Sequence, residues 1–513
     1  MKLQNHTTAV MHLLSIPMLI ALAPALAAAE APFQIRVTDS ETGRGVPLVE
    51  LRTVNNVSYI TDSNGVAAIH EPGFAGREVF FHVESHGYTY PEDGFGHAGT
   101  AVEVEPGGSV TLEVERDNIA ERLYRITGEG IYRDSVLTGE DVPLKDPVRG
   151  GGVMGQDSAQ TAIYRDQLYW IWGDTNRAGY PLGVFQSTGA VSQLPGQGGL
   201  EPDAGVNLEY FTDENGAPKA VIPIREDTSA LIWLDGLMVV DNGGAERLAG
   251  RAELLHGLGD TIGHSLVVFD DERQAFTEHT AFDPDEPWRY PRGQTAVLNE
   301  EGETYNVFSL RFPIVRVEAT LAAASNPDRY EAFTCLEPGG RMDGAESPVM
   351  RDDAGDLVWR WREDTDPVGQ NEEQTLMEAG LIDEDETRFQ VRDAESGDWV
   401  TIHRSSVQFN NYLDQWVLIG TEEYGDPSYL GEVWYAEAPN PTGPWDQATR
   451  IVTHDDYSFY NPVQHPYFAQ DGGRYIYFEG TYTRQFTGRD TPTPRYDYNQ
   501  IMYRLDLADE RLR

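Results

Sequence analysis

Carboxylates flank short apolar segments at several places in the chain. Asp157 lies directly before one such segment, Asp174 follows the next segment 17 residues later, and Glu346 precedes another. Paired carboxyl groups suit cleavage of a glycosidic bond. One acid protonates the leaving oxygen, while a second carboxylate roughly 5–10 Å away acts as base or nucleophile. We therefore take Asp157, Asp174 and Glu346 as candidate catalytic residues.

Other polar and aromatic side chains near the ends of predicted strands are candidates for substrate binding. They are Trp172, His403, Arg404, Glu422, His465 and Glu479. An arginine at position 404 would hold a uronate or a sulfate, and a buried salt bridge is the alternative. Glu479 would line the site or form a structural pair with Arg484. Aromatic residues on strands pack cores more often than they stack on sugars.

A loose repeat begins at about residue 153 and predicts the elements that position these residues. Each unit has an apolar run, a polar turn, an aromatic-rich run such as Leu168–Trp172, and a third strand. Recurrence of this pattern about every 50–70 residues is typical of a β-propeller. Six units of unequal quality can be counted. The weakest, near 349–400, contains an acidic and helical insert around 372–386, so we expect five blades, with six as the alternative. A β-sandwich or jelly roll is the second architecture.

Residues 33–115 contain several short β-rich runs that Gly-containing turns separate, which predicts a small β-sandwich. The order of the turns Asp39-Ser-Glu-Thr-Gly43 and Thr61-Asp-Ser-Asn-Gly65 resembles the carboxypeptidase-regulatory, prealbumin-like sandwich. The predicted division of this all-β chain is a signal peptide at 1–29, the sandwich at 30–116, a connector at 117–152 and the propeller at 153–513.

Two short motifs resemble those of sugar-cleaving propellers. Gln156-Asp157 followed by Ile171-Trp-Gly-Asp-Thr175 resembles the opening of an endo-arabinanase family formerly described as domain of unknown function 4185. Ala345-Glu-Ser-Pro-Val349 resembles the acid-bearing segment of five-bladed arabinanase/xylosidase-type enzymes. Both resemblances imply a role for Asp157, as the base in the second, and they differ on its partner, Asp174 or Glu346. The acid-orienting aspartate of the second family has no clear counterpart, and Asp227 and Asp260 are the candidates.

The charge balance restricts the partners. The chain has 513 residues, with 38 Lys and Arg against 84 Asp and Glu, a net charge of −46. This excess of carboxylate argues against nucleic acids and anionic membranes as partners, since both need clustered cations. We expect a carbohydrate substrate, a monomer, and a surface suited to salty water. The C-terminal segment resembles exported proteins of marine bacteria, which agrees with that setting.

The first 29 residues predict export. Lys2 precedes an apolar stretch from Ala9 to Leu26, and Ala27-Ala28-Ala29 fits a cleavage site. An N-terminal membrane anchor is the alternative interpretation. We expect a secreted or periplasmic protein.

No cofactor is expected to be required. The single cysteine, Cys335, excludes an intramolecular disulfide and any Cys-based metal cluster. Calcium stays open, because 283–286 and 352–356 have oxygen-rich spacing, although neither fits the twelve-residue calcium loop.

These observations favour an exported glycoside hydrolase that acts on a polysaccharide or oligosaccharide. Two alternatives remain. One is a polysaccharide lyase with a His or Tyr base and an Arg beside it, for which His403, Arg404, His465 and Tyr467 are candidates. The other is a propeller that binds glycans or proteins without catalysis.

Overall fold

The computed structural model describes residues 31–184, 186–223, 231–257, 260–282 and 286–513. The predicted signal peptide, Asp227 and most of the calcium candidate at 283–286 lie outside these residues. Within them the chain is all-β, as predicted, with three short α-helices: α1 (Arg133–Thr138), α2 (Leu321–Ala324) and α3 (Gln370–Glu378). Short 3-10 helices span Gly150–Gly152, Pro287–Arg289, Pro327–Arg329, Gly344–Glu346, Glu384–Glu386, Pro466–Phe468, Asp471–Gly473 and Glu510–Leu512. None of the described helices is long and apolar enough to cross a bilayer.

The N-terminal strands form two sheets that pack on a common core. The strands are β1 (Phe33–Asp39), β2 (Glu50–Thr53), β3 (Ser58–Ile60), β4 (Val66–Ile69), β5 (Arg77–Glu84), β6 (Tyr88–Thr89), β7 (Gly99–Val104) and β8 (Ser109–Arg116). They pair in two sheets of order β4-β1-β8-β6 and β3-β2-β5-β7. Alternate residues point between the sheets, so that Ile35, Leu51 and Phe81 are fully buried in a common core.

The predicted connector at 117–152 contains a strand of the second body, β9 (Glu121–Arg125), and helix α1. The first sheet that follows has the order β11-β12-β15-β16, with a three-stranded extension, β10-β13-β14. Its strands are β10 (Gly155–Gln156), β11 (Gln160–Tyr164), β12 (Gln167–Trp172), β13 (Thr175–Arg177), β14 (Tyr180–Val184), β15 (Thr188–Ser192) and β16 (Glu209–Tyr210).

Two more sheets follow, each a meander in chain order. The second consists of β17 (Leu231–Asp241), β18 (Glu246–His256), β19 (Asp260–Asp270) and β20 (Ala275–Phe282). The third consists of β21 (Gln294–Glu300), β22 (Glu303–Ser309), β23 (Pro313–Glu318), β24 (Glu331–Thr334) and β25 (Arg360–Arg362).

The fourth sheet has the order β27-β26-β31-β30-β29-β28, and the fifth β32-β33-β34-β9. The fourth contains β26 (Val391–Asp393), β27 (Trp399–Val400), β28 (Ile402–Asn410), β29 (Gln415–Glu422), β30 (Val433–Ala438) and β31 (Gln447–Val452). The fifth contains β32 (Ser458–Gln464), β33 (Tyr475–Thr483) and β34 (Asn499–Asp506), and β9 completes it.

These sheets form a β-propeller. The first strand of each sheet contacts the first strand of the next, from β11 through β17, β21 and β28 to β32. The backbone N–H of Ser158 donates a hydrogen bond to Thr481 Oγ1 and joins the fifth sheet to the first. Pairing of β9 with β34 brings the start of the propeller to its last sheet and covers an edge that would otherwise stay unpaired.

The unit expected at 349–400 forms no separate sheet in the described residues. Arg360–Arg362 extends the third sheet, while Val391–Asp393 and Trp399–Val400 join the fourth. The helix predicted around 372–386 is α3, which ends at Glu378. Five sheets of the propeller type remain in the part of the chain that the structure describes.

Candidate functional site

The two aspartates predicted from the first repeat lie at one edge of the first sheet. Strand β11 begins just after Asp157 and β12 ends just before Asp174. Because the two strands are antiparallel, with Gln160 opposite Ile171, their start and end meet at the same edge. The equivalent ends of the other sheets lie at this face too, and we call the centre of this face the funnel.

Backbone hydrogen bonds hold the two aspartates together. Asp174 N–H donates to Asp157 Oδ1 at 2.6 Å, and Asp157 N–H donates to the carbonyl of Asp174 at 3.1 Å. A Cβ atom at Gly173 would lie 2.3 Å from Asp157 Oδ1, so only glycine fits between them. Ser158 has a φ of 55°, a left-handed conformation that L-residues rarely adopt and that is common at functional sites.

Side chains from two other sheets complete the pair. The hydroxyl of Tyr460, on β32, donates to Asp157 Oδ2 at 2.9 Å. The indole N–H of Trp233, on β17, donates to Asp174 Oδ1 at 3.3 Å. Each carboxyl group therefore has its own donor, and the donors come from opposite neighbours of the first sheet.

The environments of the two carboxyl groups separate their protonation. Burial raises the pKa of Asp174, and the adjacent charge of Asp157 raises it further. Burial also raises the pKa of Asp157, but the Tyr460 hydroxyl, the Asp174 N–H and the Arg404 charge favour its ionised form. The pair therefore keeps its proton on Asp174 and its negative charge on Asp157. Asp174 is thus suited to act as a general acid and Asp157 as a base.

Asp235 lies at the centre of the funnel, and we did not single it out from the sequence. Its Oδ1 accepts hydrogen bonds from Gln160 Nε2 at 3.1 Å and from Gly293 N–H at 2.8 Å. Its Oδ2 lies 3.3 Å from Arg404 Nη1. Although burial opposes ionisation, the charges of Arg404 and other arginines hold the pKa of Asp235 below its usual value. One carboxylate thus ties together the starts of four sheets.

Several strands carry a β-bulge at this face. The composition of Leu234-Asp235-Gly236 is typical of a turn between two strands, whereas the structure has one long strand, β17, with a register shift between Asp235 and Met238. Similar shifts occur at His403 in β28 and at Asn461 in β32. Bulges re-aim side chains and are common beside active sites.

His403 and Arg404 lie at the start of β28, as the sequence predicted. Arg404 forms a partly buried salt bridge with Asp235, which corresponds to the alternative to a clamp. Burial lowers the pKa of His403 to about 4, and the charges of Arg404 and Arg311 contribute, so this imidazole is neutral at neutral pH. Glu422, at the end of β29, accepts a hydrogen bond from the Trp434 indole at 2.8 Å, and burial raises its pKa.

Three of the residues suggested for substrate binding lie inside the propeller. His465 Nε2 and Glu479 Oε1 are 3.0 Å apart and fully buried, and His465 Nδ1 is 2.7 Å from the Tyr467 hydroxyl. Trp172 is buried as well and stacks on Trp170. Glu479 does not form the structural pair with Arg484 that we considered, because Arg484 pairs with Asp497 at 3.2 Å. These contacts favour a packing role, and contact of these residues with a substrate stays a prediction.

Glu346 lies apart from the aspartate pair. It ends the 3-10 helix Gly344–Glu346, between β24 and β25 at the outer side of the third sheet, and it is exposed. In the described part of the chain it forms no hydrogen bond or ion pair with Asp157 or Asp174. Its role as an acid rests on the sequence resemblance alone.

Grouped metal ligands are also absent from the described residues: no three His, Cys, Asp or Glu side chains come together in a way that could hold an ion. The calcium candidate at 352–356 is a turn, in which Asp352 Oδ1 accepts from the backbone N–H groups of Ala354 and Asp356.

Comparisons with known proteins find similar folds and no close relative. No family model and no curated protein matches the sequence. An exo-β-1,3-galactanase from Phanerochaete chrysosporium, solved with galactose, has a TM-score of 0.37 and 10% identity over 76% of this chain and 65% of its own. An α-L-arabinanase from Cellvibrio cellulosa has a TM-score of 0.34 and 10% identity over 69% and 92%. An exo-β-1,3-galactanase from Clostridium thermocellum has a TM-score of 0.35 and 12% identity over 71% and 64%. These similarities concern the fold alone.

Proposed function

We propose that the chain is a glycoside hydrolase that cleaves a polysaccharide or an oligosaccharide with the Asp157–Asp174 pair. The observation that carries the proposal is a pair of adjacent carboxyl groups in the funnel, joined through backbone hydrogen bonds and each with its own side-chain donor. Their surroundings favour the proton on Asp174 and the charge on Asp157. Asp174 acts as the general acid on the glycosidic oxygen. Asp157 acts as the base or the nucleophile and stabilises the positive charge that develops on the sugar.

Neighbouring groups fit these roles. The Tyr460 hydroxyl and the Asp174 N–H, at 2.9 and 2.6 Å, orient the Asp157 carboxylate and favour its charge. The Trp233 indole, which donates to Asp174, supplies an aromatic face next to the acid. Aromatic rings beside a carboxyl pair are a common platform for sugar rings, whose C–H faces are apolar.

The finer assignments follow from the sequence. The stretch before residue 30 supports export to the periplasm or the medium. The resemblance to arabinanase/xylosidase-type enzymes supports a five-bladed closure, and the five described sheets agree with it. The sugar and its linkage are to be found by experiment.

A lyase is the second candidate, and one observation favours it. His403 is a neutral imidazole, its Nδ1 is buried without a hydrogen-bond partner in the described residues, and Arg404 adjoins it in the chain. A neutral base beside a guanidinium is the arrangement that abstraction of a proton next to a uronate carboxylate needs.

The experiment that tests both candidates is a product analysis. The chain from residue 30 is incubated with plant and marine polysaccharides, and the products are assayed for new reducing ends and for the ultraviolet absorbance of unsaturated uronates. New reducing ends without that absorbance are expected. Absorbance that appears with the reducing ends would replace the hydrolase by the lyase, and no cleavage of any polymer would contradict both.

A further inference from the structure

Three arginines of the funnel share two carboxylates. Asp235 Oδ2 lies 3.3 Å from Arg404 Nη1 and 3.6 Å from Arg292 Nε. Glu253 Oε2 lies 3.4 Å from Arg251 Nη2 and 3.5 Å from Arg292 Nη2. Three guanidinium groups, always charged, therefore face two carboxylates, which leaves one positive charge without a counterpart in this cluster.

Arg292 is the most open member of the cluster. Its side chain is 39% exposed, compared with 6% for Arg251 and 21% for Arg404. Its ion pairs are longer than hydrogen bonds, and it donates no hydrogen bond to any residue that the structure describes. Its Nε is buried and unpartnered, and so are Nε and Nη1 of Arg251, within the same described residues.

The neighbouring titratable groups leave the donors of Arg292 without a hydrogen-bond partner in the described residues. Burial lowers the pKa of His264 to about 4, so it is neutral and accepts a hydrogen bond from Arg251 Nη2 at 2.7 Å. His403 is neutral for the same reason. Arg311 pairs with Glu423 at 3.2 Å and is balanced. The charge of Arg404 also acts on Asp157, but the hydrogen bonds that the Asp157 oxygens accept come from Tyr460 and Asp174, so Asp157 does not occupy the donors of Arg292.

This cluster runs against the composition of the chain. Acidic residues outnumber basic ones 84 to 38, so most of the surface repels anions. Unpaired guanidinium donors at a partly buried position are costly unless a ligand completes them. Arginine matches the planar carboxylate and the sulfate oxygens with two parallel hydrogen bonds.

We propose that the funnel binds a sugar unit that carries an anionic group, a uronate carboxylate or a sulfate ester, and that Arg292 is its direct ligand. Arg251 and Arg404 supply the surrounding positive charge. This inference rests on the proposed function for the position of the bond to be cleaved, but the binding itself does not depend on cleavage.

The test compares charged polymers with neutral forms of the same polymers. Polygalacturonate is paired with its carboxyl-reduced form, and carrageenan with its desulfated form, so that the two pairs distinguish a carboxylate from a sulfate. Binding is measured by affinity electrophoresis and cleavage by reducing ends. Ionic strength is held near 0.15 M, where charges beyond about 8 Å are screened and general repulsion from the acidic surface is small.

We expect one charged polymer to bind at least about tenfold more tightly than its neutral form, which is the usual effect of one charge-assisted hydrogen-bond pair. Arg292→Gln should reduce this preference about tenfold, and Arg292→Lys should restore part of it. The matched control is Arg273→Gln. Arg273 is exposed in the β19–β20 turn, at the opposite end of the second sheet. The Arg273→Gln variant should prefer the charged polymer over its neutral form as strongly as the wild type does. Thermal unfolding of each variant confirms that it is folded.

The outcomes separate the two proposals. Equal or tighter binding of both neutral forms, or no binding of either charged polymer, overturns the anionic subsite and leaves the hydrolase untouched. A preference that the Arg292→Gln variant keeps in full also overturns it. Binding of a charged polymer that depends on Arg292 without cleavage of any polymer would support the subsite and contradict the hydrolase.

Discussion

The funnel and the interface between the sandwich and the propeller contain the same kinds of residue in different states. At the interface, Arg122 is fully buried and donates hydrogen bonds to His86 and to Ser85 of the sandwich. His86 and His454 both contact the hydroxyl of Tyr503. In the funnel, Arg292 is partly exposed and donates no hydrogen bond to the described residues. A guanidinium with its partners inside the fold stabilises it, whereas one with open donors is available to a ligand.

The largest effect that this comparison predicts is on catalysis. Asp157→Asn and Asp174→Asn should each reduce kcat/KM about 10²–10⁴-fold, because each removes one half of an acid–base pair. The measurement is the rate of release of reducing ends from the substrate that the screen identifies.

Asp166→Asn is the matched control for these two variants. Asp166 is exposed in the turn at the other end of the β11–β12 hairpin, and its φ of 61° suits asparagine. The Asp166→Asn variant should have the same kcat/KM as the wild type. Full activity of both funnel variants would show that the pair is not the catalytic site.

At the interface the predicted effect is on stability. Arg122→Met should lower the free energy of unfolding by about 2–4 kcal/mol, because hydrogen-bond acceptors of the sandwich lose their buried donor. Arg292→Gln should lower it by less than about 1 kcal/mol, as expected for a partly exposed ion pair. Chemical denaturation measures both, and equal losses would remove the distinction between the two regions.

Acid should weaken the interface between the sandwich and the propeller, because His454 is buried there in its neutral form. Burial lowers the pKa of His454 to about 3, so the folded protein resists its protonation while the unfolded chain takes up the proton near pH 6.5. The stability that this group contributes is therefore present above pH 6.5 and is lost as the pH falls towards 3, by about 1.4 kcal/mol per pH unit.

The His454→Phe variant isolates this effect. Its ring can keep the stack that His454 forms on Phe459, with centroids 4.4 Å apart. The variant should lose stability at pH 7.5, with the Tyr503 contact gone, and show a shallower decline between pH 6.5 and 4. Urea unfolding at each pH measures the free energy of unfolding. A variant whose free energy of unfolding falls with pH as steeply as that of the wild type would contradict the assignment.

The smallest expected effect separates the two candidate acids. Glu346→Gln should change kcat/KM less than about twofold, as is usual for an exposed residue away from the site. Loss of activity comparable with that of Asp174→Asn would instead support the resemblance to arabinanase/xylosidase-type enzymes and make Glu346 the acid.

Much of the fold was predictable because it depends on local pattern. Alternating apolar residues and Gly-containing turns predicted the sandwich and the propeller strands, since strand burial has a period of two. The error at 349–400 has a physical cause. Its short strands pair with the outer edges of neighbouring sheets, and such pairing across distant segments leaves no periodic signal in the chain.

The site was predictable in part. That Asp157 and Asp174 lie together was predictable because strand ends in a repeat meet at one face, and their catalytic role stays a prediction. Asp235 was missed because Leu234-Asp-Gly236 has the composition of a turn, and only the register of β17 against β18 shows that it is a bulge inside a strand. His465 and Glu479 were placed at the site by the same rule of strand ends, yet the structure buries them against Trp170 and Tyr467.

The sequence by itself determined the all-β class, the order of the two bodies, the acidic surface and the position of the first carboxyl pair, because these follow from composition and from neighbours along the chain. Only the tertiary structure decided which donors reach each carboxylate, that Asp235 joins four sheets, and that three arginines share two carboxylates. Those contacts join residues up to 303 positions apart, as between Tyr460 and Asp157, and they arise from the closure of the propeller. Protonation and ligand contacts depend on such neighbours, so the chemistry of the funnel is a property of the folded chain.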